Sequence, residues 1–257
     1  MTWYTGDPVY DTVLAVGFGF AAFVVVAAFF VQSPYGRFAS EKMGLSLDPR
    51  LGWWLMELPA TLVFVVVWAM AGNFSAPALV FGAIWLVHYA NRGWFFPLTL
   101  KVREGQKGTF SLTVVLAGWF VTAMHGYLNA AWFTDFGQFT TDWFIDPRFI
   151  GGAAIYYAGL GLVLHSERTV RNLRVPGGPR YVIPRGGGFR WVTNPAYLGE
   201  LVGWAGFALM TWSLAGVLIF CISAANLVPR AFATHRWYQE KFEDYPSDRK
   251  VLIPFVL

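Results

Sequence analysis

The sequence predicts an all-α integral membrane protein with seven transmembrane helices, its N-terminus outside and its C-terminus in the cytoplasm. Three observations predict it. Composition is the first: 56% of the residues are hydrophobic and only 13% charged, against about 25% charged for an average soluble domain. Run length is the second, because residues 12–31 and 110–133 carry no charge over 20 and 24 positions, the length of a spanning helix rather than a buried one. The third is an unbroken alternation of basic and non-basic loops, as the positive-inside rule requires.

The first span is 12–31. No basic residue precedes it and its apolar core is too long for a signal peptide, so it reads as a permanent helix. The segment before it has two Asp and no Lys or Arg, whereas the next loop holds Arg37, Lys42 and Arg50. The second span, 51–71, has one charge, Glu57. A neutral loop follows, then a third span from 76 to about 91, closing in VHYANR. Arg92, Lys101, Arg103 and Lys107 come next, and after them the fourth span, 110–133, and the acidic loop TDFGQFTTDWFID. The fifth span, roughly 149–165, leads into a loop carrying Arg168, Arg171, Arg174, Arg180, Arg185 and Arg190. Residues 201–228 are uncharged, too long for one helix, and basic on both flanks, so this region must cross twice. The expected pair is 197–212 and 213–228, the second extended to about residue 238. The tail HRWYQEKFEDYPSDRKVLIPF is too aromatic to be a disordered end and should fold back on the cytoplasmic face. With no repeat or linker, the chain reads as one domain, and its basic residues are too dispersed for a nucleic-acid surface.

Glu57 is the first candidate for chemistry. An ionisable group within a span is costly and usually faces a cavity or a partner, although a structural hydrogen bond to another helix would also account for it. Trp53 lies one turn earlier on the same face. Burial favours the neutral form of a carboxyl, which can donate a hydrogen bond, as in enzymes that polarise ketones. Counting from Arg50, Glu57 stands ~10 Å in from the cytoplasmic end of its helix. Pro59, two residues on, frees a backbone carbonyl in the same turn.

Tyr89, at a membrane boundary, reads on sequence alone as an aromatic-belt residue, and His125 as an interior histidine. His165 and Glu167 diverge on a helix, and the single cysteine, Cys221, forms no intrachain disulfide, so no metal site is expected. The arginine-rich loop with PGGP, RGGG and Tyr181 has two readings. It is topological charge attracted to anionic lipid, or an anion site for a phosphorylated cofactor. RGGG matches neither a Walker loop nor a dinucleotide fingerprint. NPAYLGE places Glu200 at the start of the sixth span.

These segments together resemble a known family. FEDYPSDRKVLIPF with RAF and HRWY before it, LHSERTVRNLR, RYVIPRGGGF, LGE, and the pair LMELP and HYANR are similar to the steroid 5α-reductases. The similarity runs from about residue 33 to the end, and in its compact length the chain resembles bacterial members. The resemblance implies NADPH-dependent reduction of the C4–C5 double bond of a 3-oxo-Δ4-steroid that enters from the bilayer. It implies that Glu57 and Tyr89 hydrogen-bond the C3 carbonyl, with Trp53 at the substrate pocket. It implies cofactor contacts from Tyr35, Arg92, Arg103, Glu167, Arg171, Arg174, Tyr181, Asn194, Glu200, Arg230 and Tyr238. The substrate pocket is expected mainly from helices 1–4, and the NADPH site mainly from helices 5–7 and the cytoplasmic loops. A monomer is expected, in a bacterial inner membrane or, in a eukaryote, the endoplasmic reticulum. The chain departs from the family pattern at Val163, Val182 and Ala196, which touches individual adenine and nicotinamide contacts but not the Glu57–Tyr89 pair. Two other classes compete. One is a membrane methyltransferase using S-adenosylmethionine, which NPAYLGE partly fits; the other is a sterol-binding or transport protein, which leaves the arginine-rich loop without a role.

Overall fold

The computed structural model describes residues 4–30, 38, 45–102, 110–175, 177–179 and 181–257. Its helices are α1 (Pro8–Ala27), α2 (Pro49–Ala71), α3 (Ala76–Tyr89), α4 (Phe96–Thr99), α5 (Leu112–Ala131), α6 (Pro147–Leu173), α7 (Pro195–Thr211) and α8 (Leu214–Lys241). A π-helical turn, Ala90–Phe95, joins α3 to α4, so 76–99 forms one helical rod. A second π turn, Trp132–Phe136, prolongs α5. The strands Ser46–Leu47 and Phe110–Ser111 pair antiparallel at the start of α2 and α5.

Helix starts follow a local rule. Asp7, Asp48 and Asp146 each precede a proline and accept a bond from the backbone N–H of Tyr10, Arg50 and Arg148, all at 2.8 Å. An Asp cap satisfies a donor that the helix cannot, and proline in the first turn loses nothing because its missing N–H had no intrahelical partner. This is why α1 begins at residue 8 rather than 12, and α6 at 147 rather than 149. The third span continues beyond residue 91 to 99 because the π turn absorbs an extra residue instead of ending the helix. The uncharged stretch 201–228 does divide in two: α7 stops at Thr211, Trp212 takes a left-handed φ of 45°, and Ser213 caps α8 through the Gly216 N–H at 2.9 Å.

Five of these helices, α1, α2, Leu112–Phe136, α6 and α8, are long and apolar enough to cross a membrane. Their outward faces carry exposed Phe23, Met70, Phe120 and Tyr157, apolar surface that a soluble monomer rarely shows on this scale. The chain is a multi-pass membrane protein.

Packing within the bundle depends on small residues. Gly152 and Gly159 on α6 face Gly199, Gly203 and Gly206 on α7, and a Cβ at Gly152 or Gly159 would run into the opposite backbone. Such close approach is how apolar helices associate where lipid is as greasy as leucine. Helices α2 and α5 run parallel: Trp119 donates to the Leu55 carbonyl at 2.6 Å, Thr122 to the Met56 carbonyl at 3.1 Å, and Gly126 lies against Ala60 and Phe64. Pro59 cannot donate to Leu55, four residues back, and the carbonyl it frees is the one Trp119 takes.

An aromatic core closes the end of the bundle away from the arginine-rich loop. Phe64 stacks on Trp85 at 5.2 Å and Phe81 on Phe133 at 4.9 Å, with Phe207 among them. At the other end the tail folds back. The Lys250 N–H donates to the Trp191 carbonyl and the Thr193 N–H to the Lys250 carbonyl, each at 2.8 Å. Thr193 Oγ1 also bonds His235 and Tyr245, which ties the tail to α8.

Candidate active site

Two cavities open into this frame, and they share a wall. The first, about 310 Å³, lies within the bundle and is lined by every long helix, among others by Phe20 of α1, Glu57 of α2, Val121 of α5 and Ile222 of α8. The second, about 290 Å³, opens among α4, α6, α8 and the loop before α7. Trp53, Arg92, Val163, Glu167, Glu200 and Leu227 line both. These residues form a neck between an apolar chamber and a cationic one.

Each neck residue is set by its element. Trp53 and Glu57 are one turn apart on α2 and face inward together. Tyr89 ends α3, and the π turn brings Asn91 and Arg92 to the same chamber. π-helical turns are rare and concentrate at functional sites. Gly93 lets this turn press on α2, since a Cβ there would meet the Glu57 Cβ at 3.0 Å. Arg92 is the central cation: its Nε lies 3.4 Å from Glu57 Oε1, and a terminal nitrogen lies 3.9 Å from Glu200 Oε2. Its guanidinium stacks over Trp53 at 4.7 Å, and Trp53 packs edge-on to Phe96 at 5.7 Å. One guanidinium thus faces two carboxyls and an aromatic ring.

Glu57 and Tyr89 are both buried, 6% and 4% exposed, and both line the apolar chamber. Among the described residues the Tyr89 hydroxyl has no hydrogen-bond partner, which leaves its proton available to something in the chamber. His88 beside it is committed, with Nδ1 2.9 Å from the Tyr156 hydroxyl and its ring 4.5 Å from Trp204.

The second chamber gathers Arg171, Arg174, Arg230, Asn194 and Tyr238, all singled out in the sequence. Arg171 donates to Thr99 at 2.8 Å, Arg174 to the Lys101 carbonyl at 3.2 Å, and Arg230 to the Tyr197 hydroxyl at 2.9 Å. Asn194 donates through Nδ2 to the carbonyls of Ala231 and Val251, both at 3.1 Å, so its amide also anchors the tail. Tyr181 is not among the residues lining either chamber; its ring packs edge-on to Trp237 at 4.7 Å. Tyr35 and Arg103 lie outside the described residues. Sequence reasoning passed over Lys101, a member of the cationic lining, although its place in a basic loop was visible. It also gave no role to Tyr156 and Asn91 in the apolar chamber; nothing local distinguishes them from other interior polar residues.

The profile of the family described as 3-oxo-5-alpha-steroid 4-dehydrogenase matches residues 108–257. The chain is 42% identical over 243 residues to 3-oxo-5-alpha-steroid 4-dehydrogenase 1 of Rattus norvegicus, covering 93% of this chain and 92% of the relative. The chain belongs to the 3-oxo-5-alpha-steroid 4-dehydrogenase family. Identity to Steroid 5-alpha-reductase DET2 of Solanum lycopersicum is 36% over 244 residues, 91% of this chain and 94% of that protein. To 3-oxo-5-alpha-steroid 4-dehydrogenase 1 of Homo sapiens it is 36% over 228 residues, 88% and 86% of the two chains. As a member of this family the protein is an oxidoreductase, and the methyltransferase and transport readings fall away. The catalytic carboxyl and hydroxyl suspected from LMELP and HYANR lie outside the profile match, in the part of the chain that the full-length relatives cover.

Proposed function

We propose that this 3-oxo-5-alpha-steroid 4-dehydrogenase family member reduces the C4–C5 double bond of 3-oxo-Δ4-steroids to 5α-dihydro products with NADPH. The observation that carries the reading is the neck: an apolar chamber and a cationic chamber meet at Trp53, Arg92, Glu167 and Glu200, with Glu57 and Tyr89 on the apolar side beside Arg92. A tetracyclic ketone suits the first, and a multiply anionic dinucleotide suits the second.

The second chamber's donor set fits NADPH. Lys101, Arg171, Arg174 and Arg230 supply cationic donors for phosphate oxygens. Glu167, Asn194 and Glu200 supply acceptors for hydroxyl and amide groups, and Tyr238 a ring face. Tyr35, Arg103 and Tyr181 complete the set by resemblance. When bound, NADPH supplies the hydride that reaches C5. The protein's own part is to hold the ketone and stabilise the charge that develops on it. The Tyr89 hydroxyl donates one hydrogen bond to the enone oxygen. Glu57 donates a second in its protonated form, the form that burial of a carboxyl favours. As the C4–C5 π electrons move toward oxygen, these donors stabilise an enolate where a water-filled site would not. The enolate then collapses to the ketone as C4 takes a proton. Trp53, held by Arg92 and Phe96, bounds the pocket between the two chambers.

In the same reading the chain crosses the membrane seven times, with the N-terminus outside and the C-terminus in the cytoplasm. The five apolar helices, the rod 76–99 and the 17-residue α7 supply the spans, and Arg50, Lys101, Arg171 and Arg174 mark the cytoplasmic end. Steroid enters from the bilayer into a single-domain monomer, with helices 1–4 supplying most substrate contacts and the last three spans and their loops most NADPH contacts. The host membrane is a bacterial inner membrane, or the endoplasmic reticulum in a eukaryote. Purified protein should consume NADPH only when a 3-oxo-Δ4-steroid is added. Glu57→Leu should lose nearly all turnover while Glu57→Gln retains part of it; a fully active Glu57→Leu enzyme would remove Glu57 from the mechanism.

A further inference from the structure

The apolar chamber has a second polar end that the proposed chemistry does not use. Its α5 wall is one helical face: Val114, Ala117, Gly118, Val121, Thr122 and His125. His125 is the last of these, 5% exposed. Among the described residues neither of its ring nitrogens has a hydrogen-bond partner; Nε2 is fully shielded, so Nδ1 is the nitrogen left to face the chamber. Leaving a buried imidazole unpaired costs free energy. A core histidine with no ligand to meet would be expected to bond a backbone carbonyl, as Thr122 beside it does.

Its position along the bundle follows from the parallel packing of α2 and α5. Thr122 lies level with Met56, and Gly126 with Ala60 and Phe64. His125 therefore stands about one helical turn, roughly 5 Å, deeper than Glu57. Near it Gly17 of α1 packs directly against Met124 of α5 and Leu218 of α8. Across the chamber α8 presents Ile219 and Ile222, with Ser223 beside them. Of the other polar groups lining the chamber, Thr122 is committed to two carbonyls and His88 to Tyr156, which leaves Ser223 as the alternative partner.

We infer that His125 is a specificity-determining residue that hydrogen-bonds an oxygen at the end of the substrate opposite its ketone, a hydroxyl or carbonyl on the terminal five-membered ring. A neutral imidazole can carry its proton on either nitrogen, so Nδ1 donates in one tautomer and accepts in the other and serves either group. The α5 and α8 walls between the neck and His125 are largely apolar, with Val121, Ile219 and Ile222 among them, which suits a hydrocarbon ring system. A pocket with polar groups at both ends discriminates against analogues that lack one oxygen, because the unmet group stays unpaired. This inference rests on the reading of the chamber as a steroid site.

The experiment compares two 3-oxo-Δ4-steroids, one bearing a hydroxyl on the five-membered ring and one with hydrogen there. For His125→Leu, KM for the hydroxylated substrate should rise about tenfold with kcat little changed, while KM for the deoxy substrate stays within about twofold. His125→Gln, which keeps a donor and an acceptor, should restore most of the difference. Equal changes for both substrates, or a selective loss in Ser223→Ala with His125→Leu silent, would overturn the assignment. Failure of the wild-type protein to reduce either steroid would instead remove the reading of the chamber.

Discussion

At the residue scale, the proposed chemistry rests on a few side chains in and beside the neck. Tyr89→Phe keeps the ring packed on Trp85, 4.7 Å away, and removes only the hydroxyl group. Turnover should fall about 10²–10³-fold, the usual effect of losing one donor to a developing oxyanion, while NADPH binding by fluorescence stays near wild type. An unchanged kcat would exclude Tyr89 as a donor. Arg171→Ala and Arg174→Ala should each raise KM for NADPH several-fold with little change in KM for steroid; the reverse split would exchange the roles of the two chambers. Glu57 was legible in LMELP because a lone carboxyl in a 21-residue span has no bland composition to hide in. Tyr89 was not, since a tyrosine near a membrane boundary looks like an interface anchor. The structure instead finds it 4% exposed against the chamber. His125 looked like a satisfied interior histidine, and only packing shows that its ring has no partner.

At the element scale, backbone irregularities do much of the positioning. The π turn at Ala90–Phe95 carries no sequence signature, since ANRGWF would sit equally well in an α-helix. Its selection is tertiary, by the fit of Gly93 on Glu57 and of Arg92 between two carboxyls. Pro59 was legible as a kink but its purpose was not, because the donor that answers it, Trp119, lies 60 residues away. Trp119→Phe should lower stability by roughly 1–2 kcal/mol, measured by thermal unfolding in detergent. The same change in a Pro59→Ala background should cost less, since an alanine N–H at 59 can take the Leu55 carbonyl; equal costs would contradict the pairing. The α6 N-terminus offers a pH-dependent case. Bonds from the Arg148 side chain and backbone N–H hold the Asp146 carboxyl down from its ordinary 3.8 to about 2. Because the folded value lies below the unfolded one, the cap's contribution is present above about pH 4 and fades as pH falls toward 2. Asp146→Asn should lose that acid-limb dependence, read as Tm against pH. The division of 201–228 into α7 and α8 was legible from charge alone, as two basic flanks demand two crossings.

At the scale of the whole molecule, the apolar runs and loop charges predicted a helical membrane bundle, and the bundle is there. The glycine contacts between α6 and α7 were not read from the sequence, although both helices carry small residues at helical spacing. Periodicity names a face and does not say what that face meets. Gly159→Val would press two methyls into the Gly199–Gly203 backbone. It should cost several kcal/mol and lower the yield of folded protein in detergent size-exclusion; normal yield and Tm would show that these helices can separate. The pairing of an apolar and a cationic chamber is a property of no single segment. It arises because α2 and the 76–99 rod bring Glu57, Tyr89 and Arg92 to the place where α6 and α7 bring Glu167 and Glu200. That junction is the central claim, and one measurement tests it most directly. Purified protein is given a 3-oxo-Δ4-steroid and NADPH carrying deuterium at the transferable position, and the product is read by mass spectrometry and NMR. The account predicts a 5α-dihydro ketone with one deuterium at C5, and almost no product from Glu57→Leu or Tyr89→Phe. Deuterium at C3, with the ketone reduced to an alcohol and the double bond intact, would contradict it.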